Sequence, residues 1–109
     1  MSERTNKLNA LVQQNLNLIF IQDVEWPRDT MATITRVEVT PDLSWAFVTL
    51  SILPINKQGT VLKKLTSQLR DIQHKLNKTL QIRKAPKIKF KIDSTELESR
   101  KIDRELAKN

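Results

Sequence analysis

Residues 33–54, TITRVEVTPDLSWAFVTLSILP, read as two strands joined by a tight polar turn. Val, Ile, Thr, Phe and Trp fill the stretch, and such residues fit a pleated, half-buried surface. The turn is Thr40-Pro41-Asp42-Leu43-Ser44. Pro41 presets its own φ, and the Asp42 and Ser44 side chains can bond nearby backbone groups. Before the turn, Val37 and Val39 share one face and Arg36 and Glu38 the other, as period-two alternation requires. After it, Ala46, Val48, Leu50 and Ile52 alternate with Trp45, Phe47, Thr49 and Ser51. Both faces of this second strand carry apolar residues, so it is the more buried of the two. Ile34 falls out of phase with Val37, which predicts a bulge or a frayed start.

Working outward, residues 3–21 carry an apolar stripe of Leu8, Leu11, Val12, Leu16, Ile19 and Phe20 at helical spacing, with Ser2 as N-cap. Pro27 biases Trp26 away from helix and makes residues 22–31 a loop, with Trp26 as a lid on the core edge. Beyond Pro54, a connector holds Gly59, the one glycine of the chain. A second helical pattern runs from about Thr60 to Leu80, with Leu62, Leu65, Leu69, Ile72, Leu76 and Leu80 on its stripe. Such a span would be about 30 Å long, long for a small domain, so a break into two helices is expected. Residues 87–92, KIKFKI, form a third strand, with Ile88, Phe90 and Ile92 on one face and three lysines on the other. Lysines there also guard an edge strand against pairing with another molecule. The order is helix, strand, strand, helix, strand: an α+β fold with helices on one face of a three-stranded sheet.

The chain has 109 residues, which favours one domain. We place that domain at residues 1–93. Residues 94–109 show a capping pattern, Thr95 with Glu98, but a sparse apolar set, and read as a frayed helix or a disordered tail. No cysteine is present, which fits a reducing, cytoplasmic setting. Neither a signal peptide nor a membrane span is legible.

The net charge is +7, and its distribution is uneven. Residues 63–91 hold ten basic groups against Asp71 alone; the rest of the chain holds nine basic against eleven acidic. A one-signed concentration favours a polyanionic partner over a merely solvated surface. Nucleic acid is the first expectation; an acidic protein partner is the alternative, and an anionic membrane surface ranks behind both. We take Arg70, Lys75, Lys78, Arg83, Lys84, Lys87, Lys89 and Lys91 as candidate phosphate contacts, with Arg36 as the candidate on the hairpin.

Catalytic signals are weak. A single glycine leaves no phosphate-cradling loop. His74 sits on the polar side of a helix and reads as solvated, and a His/Cys metal site is excluded by count. Glu38, Asp42 and Asp93 near strand ends could hold Mg²⁺ for phosphodiester cleavage. The structural roles of the three (strand face, turn, strand end) are the stronger reading. The aromatic residues do not suggest a sheet coated with exposed rings, so backbone and shape recognition of structured RNA is expected. We expect no enzyme activity, no cofactor, no metal and a monomer.

The hairpin and the run LRDIQHKLNKTLQIRKAPKIKFKIDST also resemble a known family. Arg36, Val37, Glu38, Val39, Thr40, Asp42, Leu43, Ala46 and Val48 occupy the places of the hairpin motif of ribosome-binding factor A. Ile82, Arg83, Pro86, Ile88, Phe90, Asp93 and Ser94 match the family's third-strand motif, and Trp26-Pro27-Arg28 resembles its Asp-Pro-Arg loop. The resemblance runs from the first helix to about Ser94. It implies a type II KH-like fold in the order α-β-β-α-α-β. It implies a non-catalytic factor that binds the free or immature 30S subunit through 16S rRNA and assists maturation of the rRNA 5′ region. Growth in the cold and release by an assembly GTPase are also implied. The family carries a helix kink with an Ala-x-Gly motif where ordinary KH domains have GXXG. Spacing back from Pro86 puts that motif at Gln68-Leu69-Arg70, where neither alanine nor glycine stands. The kink is therefore absent, shifted or made by other means. The family's loop glycine before the first strand is also missing, with Thr30 near its place.

Overall fold

A computed structural model describes residues 3–82 and 84–93. Helix α1 spans Glu3–Gln22, strand β1 Met31–Val39 and strand β2 Trp45–Leu53. A single 3-10 turn, Ile55–Lys57, leads into helices α2 (Gln58–Ser67) and α3 (Leu69–Leu80), and strand β3 is Lys87–Ile92. The sheet order is β1-β2-β3, antiparallel between β1 and β2 and parallel between β2 and β3. Helices on one face of a three-stranded sheet, in the order α-β-β-α-α-β, are the expected type II KH-like architecture. Ser2 and residues 94–109, with the Thr95–Glu98 pattern, lie outside the described residues.

The hairpin forms where the alternation places it. Ala46, Val48, Leu50 and Ile52 of β2 are fully buried, and Ile34, Val37 and Val39 of β1 are buried beside them. The register shifts between Ile34 and Arg36. Thr35 is the extra residue of that bulge, which returns Ile34 to the same inner face as Val37. Among the described strands, only β2 is paired on both sides, and its inner residues are the most fully buried of the sheet.

The turn is tied by its own side chains. Asp42 Oδ1 accepts from the Thr40 hydroxyl at 2.7 Å and from the Ser44 backbone N–H at 3.1 Å, and Oδ2 accepts from the Ser44 hydroxyl at 2.9 Å. Thr40 Oγ1 in turn accepts from the Trp45 N–H at 3.1 Å. These bonds favour the ionised carboxylate, led by the Thr40 hydroxyl, and lower the Asp42 pKa from 3.8 to about 2. Asp42 is thereby committed to the turn, and Glu38 is paired with Arg36 at 3.3 Å. Among the described residues no three His, Asp or Glu side chains group as a metal site.

The helices complete one core. Val12, Leu16, Ile19 and Phe20 of α1 meet Ile72, Leu76 and Leu80 of α3 and the inner sheet face. A fully buried leucine such as Leu16 contributes on the order of 2 kcal/mol by transfer from water. Two stripe assignments are corrected here. Leu11 is 42% exposed: it lies on the shoulder of the stripe, past the reach of the sheet. In α2 Val61 is fully buried while Leu62 is only half-buried, because that helix starts at Gln58 and is set in its own orientation by the break that follows.

The break between α2 and α3 falls on Gln68, with φ −101° and ψ 1°, the sparsely populated bridge region. Its side chain reaches a loop 43 residues away: Oε1 accepts from the Glu25 N–H at 2.9 Å, and Nε2 donates to the Glu25 carbonyl at 3.0 Å and to the Lys64 carbonyl at 3.1 Å. The kink is thus present at the expected place, and a glutamine amide clamped on a loop holds it without alanine or glycine. Trp26 closes the same region. Its indole N–H donates to the Phe20 carbonyl at 2.9 Å, and its ring meets Phe20 edge-on at 5.1 Å, which is the lid role read from the sequence.

Two measurements check this account. Because the folded Asp42 pKa lies below its unfolded value, the turn's contribution is present above about pH 4 and is lost as pH falls through about 2. Thermal melts of Asp42→Asn should lose less stability than wild type between those pH values. Gln68→Ala, which removes three partly exposed hydrogen bonds, should lower unfolding free energy by about 1 kcal/mol in urea titrations, with the loosened amides at residues 24–26 in hydrogen exchange.

Candidate nucleic-acid interface

The basic stretch of residues 63–91 is continuous in sequence but divided in space. In β3, Ile88 is buried and Phe90 and Ile92 are half-buried on the helix-covered side, so Lys87, Lys89 and Lys91 project from the opposite, open face of the sheet. Arg36 shares that face: it pairs across the sheet with Thr49, which pairs with Lys91. The next outer rows are Glu38, Phe47 and Lys89, then Trp45 and Lys87. Trp45 is 41% exposed and Phe47 half-buried. The Lys87 ammonium stands 6.0 Å from the centre of the Trp45 ring, and that of Lys91 5.9 Å from Phe47. Two rings on the open face are more than the sequence suggested, because neither face of β2 was singled out as the solvent face.

The helix-borne cations lie on the other side of the sheet. Lys75 is held by Asp23 at 3.1 Å and Lys64 by Glu25 at 3.6 Å. Both pairs link the α2–α3 layer to the loop after α1. As solvent-exposed pairs each is worth between zero and about 1 kcal/mol, yet they cancel charge locally. Lys78 lies beside Lys75 in a shallow groove against α1 with Leu18 and Gln22. Arg70 is exposed on the first turn of α3 and His74 is exposed one turn on. Lys84 stands at the entrance to β3, in a groove of about 480 Å³ that it shares with Trp45, Gln73, Asn77 and Lys87. Arg83 lies outside the described residues. Of the nine candidates, the structure therefore gathers Arg36, Lys87, Lys89 and Lys91 on one face, with Lys84 at its rim, and sets Arg70, Lys75 and Lys78 apart.

Side-chain amides hold this face in place. Gln73 of α3 caps the outer edge of β3: Oε1 accepts from the Ile88 N–H at 2.8 Å, and Nε2 donates to the Pro86 carbonyl at 3.0 Å. Asn9 of α1 does the same for β1, accepting from the Val39 N–H at 2.8 Å. Each amide satisfies an edge group that β2 cannot reach. Sequence reasoning passed over both residues, since an amide on the polar side of a helical pattern looks like any surface residue.

The family model for ribosome-binding factor A matches residues 4–106. The chain belongs to the ribosome-binding factor A family. The ribosome-binding factor A of Lactobacillus acidophilus is 33% identical over 109 residues, covering 98% of this chain and 90% of that protein. That of Akkermansia muciniphila is 32% identical over 95 residues, covering 87% of this chain and 75% of that one. The crystal structure of ribosome-binding factor A from Thermus thermophilus superposes with a TM-score of 0.71 at 23% identity, over 81% of this chain and 93% of that one. This last likeness bears on the fold, and it agrees with the element order given above.

The Gln73 cap is open to test. Gln73→Ala leaves the partly buried Ile88 N–H without its acceptor and should destabilise the protein by about 1–3 kcal/mol. Amide exchange should rise at Ile88 more than at Ala46 or Val48 in the sheet centre.

Proposed function

We propose that this chain is a non-enzymatic assembly factor that binds the free or immature 30S subunit through 16S rRNA and assists maturation of the rRNA 5′ region. The observation that carries the reading is the family match across residues 4–106. A Thermus thermophilus ribosome-binding factor A, fitted as a homology model into a cryo-electron microscopy map of its complex with 30S, has the same fold with a TM-score of 0.68. Residues 1–93 are the RNA-binding unit, acting as a cytoplasmic monomer, and an assembly GTPase releases it from the particle.

The charge layout supports phosphate contact from the open sheet face. Lys87, Lys89 and Lys91 follow one another at every second residue, about 6.6 Å apart along the strand, a row that can follow a phosphate backbone. Such contacts fix register without reading sequence, so specificity would come from the shape of the immature particle. Lys84 extends the row at its start. Arg36 is shared with Glu38 and would contribute less. Arg70, Lys75, Lys78 and Arg83 remain candidates for a second contact from the helix side.

Co-sedimentation with immature and mature 30S particles at two salt concentrations tests the reading. The protein should pellet preferentially with immature particles and lose affinity steeply as salt rises. With single-stranded rRNA segments, replacing Lys87, Lys89 and Lys91 together by Gln should reduce the slope of log affinity against log salt by about two. Unfolding free energy should change by no more than about 0.5 kcal/mol, as for exposed substitutions. Binding that ignores salt, or a protein absent from 30S fractions and captured by an acidic partner, would refute the proposal.

A further inference from the structure

We infer that the open face of the sheet is a stacking platform for unpaired nucleotides, with Trp45 and Phe47 receiving successive bases and Lys87, Lys89 and Lys91 their phosphates. The inference rests on the RNA-binding reading and sharpens it, from a basic surface to a site for single strands. Trp45 and Phe47 stand two residues apart on β2, so their rings share one face about 6.6 Å apart along the strand. Their neighbours in β3 are Lys87 and Lys89 in register, with Lys91 beyond. Rings flanked by a row of cations are what sequence-tolerant binding of single strands uses: π-faces for bases and charges for the backbone. No described element covers the face, since all three helices pack on the other side.

A solvent-facing strand explains this layout less well. Further along the same face of β2 the residues are Thr49 and Ser51, which meet water at no cost. Of the three β2 residues on this face that pair with a lysine, two are rings, Trp45 with Lys87 and Phe47 with Lys89, and the third is Thr49 with Lys91. The rings do carry β-propensity and can cover lysine stems. Yet Trp45 remains 41% exposed, and the ammonium groups stand 6.0 and 5.9 Å from the ring centres, at the outer limit of a cation–π contact. A flexible lysine can leave that position for a phosphate and uncover the ring. Trp45 also borders the groove of about 480 Å³ against Asn77 and Lys84, which gives a bound strand a continuation past the sheet edge. Glu38, the one carboxylate in these rows, is held by Arg36 at 3.3 Å and so weighs little against three lysines.

The test uses the full chain carrying Trp26→Phe, so that Trp45 is the only tryptophan, and a short oligouridylate as probe. Saturable quenching of Trp45 fluorescence is expected, with weaker quenching by an RNA duplex of equal length and by poly-glutamate. Replacing Trp45 and Phe47 together by Leu should lower oligouridylate affinity about ten-fold or more. The salt slope should stay unchanged, because no phosphate contact is removed. Matched thermal melts exclude misfolding, and Trp45→Leu alone gives a milder variant on an exposed site. If the leucine variants bind as well as wild type, or if duplex and poly-glutamate quench equally, the platform is wrong. Should wild-type protein still sediment with immature particles in that case, the assembly-factor reading stands without it. Failure of wild-type protein to sediment would overturn the reading and this inference together.

Discussion

A three-stranded sheet backed by helices can have only one dry face, and in this protein β2 decides which. Its residues at even positions from Ala46 to Ile52 are fully buried. Once they are, the pleat commits every other residue of the sheet. Val37 and Val39 must go in and Arg36 and Glu38 out; Ile88 and Phe90 must go in and the three lysines out. A slip of one residue between β2 and β3 would bury three ammonium groups and expose Ile88, Phe90 and Ile92. Burying even one unpaired charge costs far more than the sheet could return, so hydrophobic burial on one side fixes the chemistry of the other. The basic surface is in this sense a consequence of core packing.

The same constraint raises the question of the edges. Among the described residues, β1 and β3 are each paired on one side only, so rows of their backbone groups face outward. Lysines protect β3 by charge, and two helix amides act more directly. Asn9 meets Val39 and Gln73 meets Ile88, each at 2.8 Å. Gln68 solves a related problem at the helix break, where an unusual backbone conformation is held by three bonds from one side chain. Glutamine and asparagine carry both a donor and an acceptor, so one residue can satisfy an N–H and a carbonyl together. Gln68 does this at Glu25, and Gln73 does it at Ile88 and Pro86. The break at Gln68 thus needs neither alanine nor glycine, because this clamp fixes the backbone from outside.

What the sequence made legible follows from this. Period-two patterning is readable wherever one face is dry, and residues 33–54 and 87–92 form strands very nearly where the alternation puts them. Even the bulge was readable, because Ile34 broke phase. The helical stripes were readable to within their shoulders. Leu11 and Leu62 were misjudged because 3.6-residue periodicity defines a broad face, and which margin is covered depends on the neighbouring element. The break was readable as a necessity of length, and the family spacing pointed to Gln68-Leu69-Arg70, but periodicity gave no position and nothing local showed what makes it. Its cause is a hydrogen bond across 43 residues, which no local pattern encodes. The edge caps were invisible for the same reason.

Charge shows how far a linear reading reaches. Ten basic groups crowd residues 63–91, and counting alone makes them one patch. The fold sends the helix-borne members to one side, where Lys64 and Lys75 meet Glu25 and Asp23. It sends the β3 members to the other side. The acids that neutralise the first group come from the loop after α1, about forty to fifty residues earlier in the chain, and a block count credits them elsewhere. The second group instead stands beside two rings contributed by the hairpin. Thus the hairpin that sets the fold also furnishes half of the open face. A long-range field acts from either side, but the sheet face sets a row of three lysines beside two rings, Trp45 and Phe47. Net charge governs encounter with any polyanion; the pleat of β2 governs which side chains the open face presents to it.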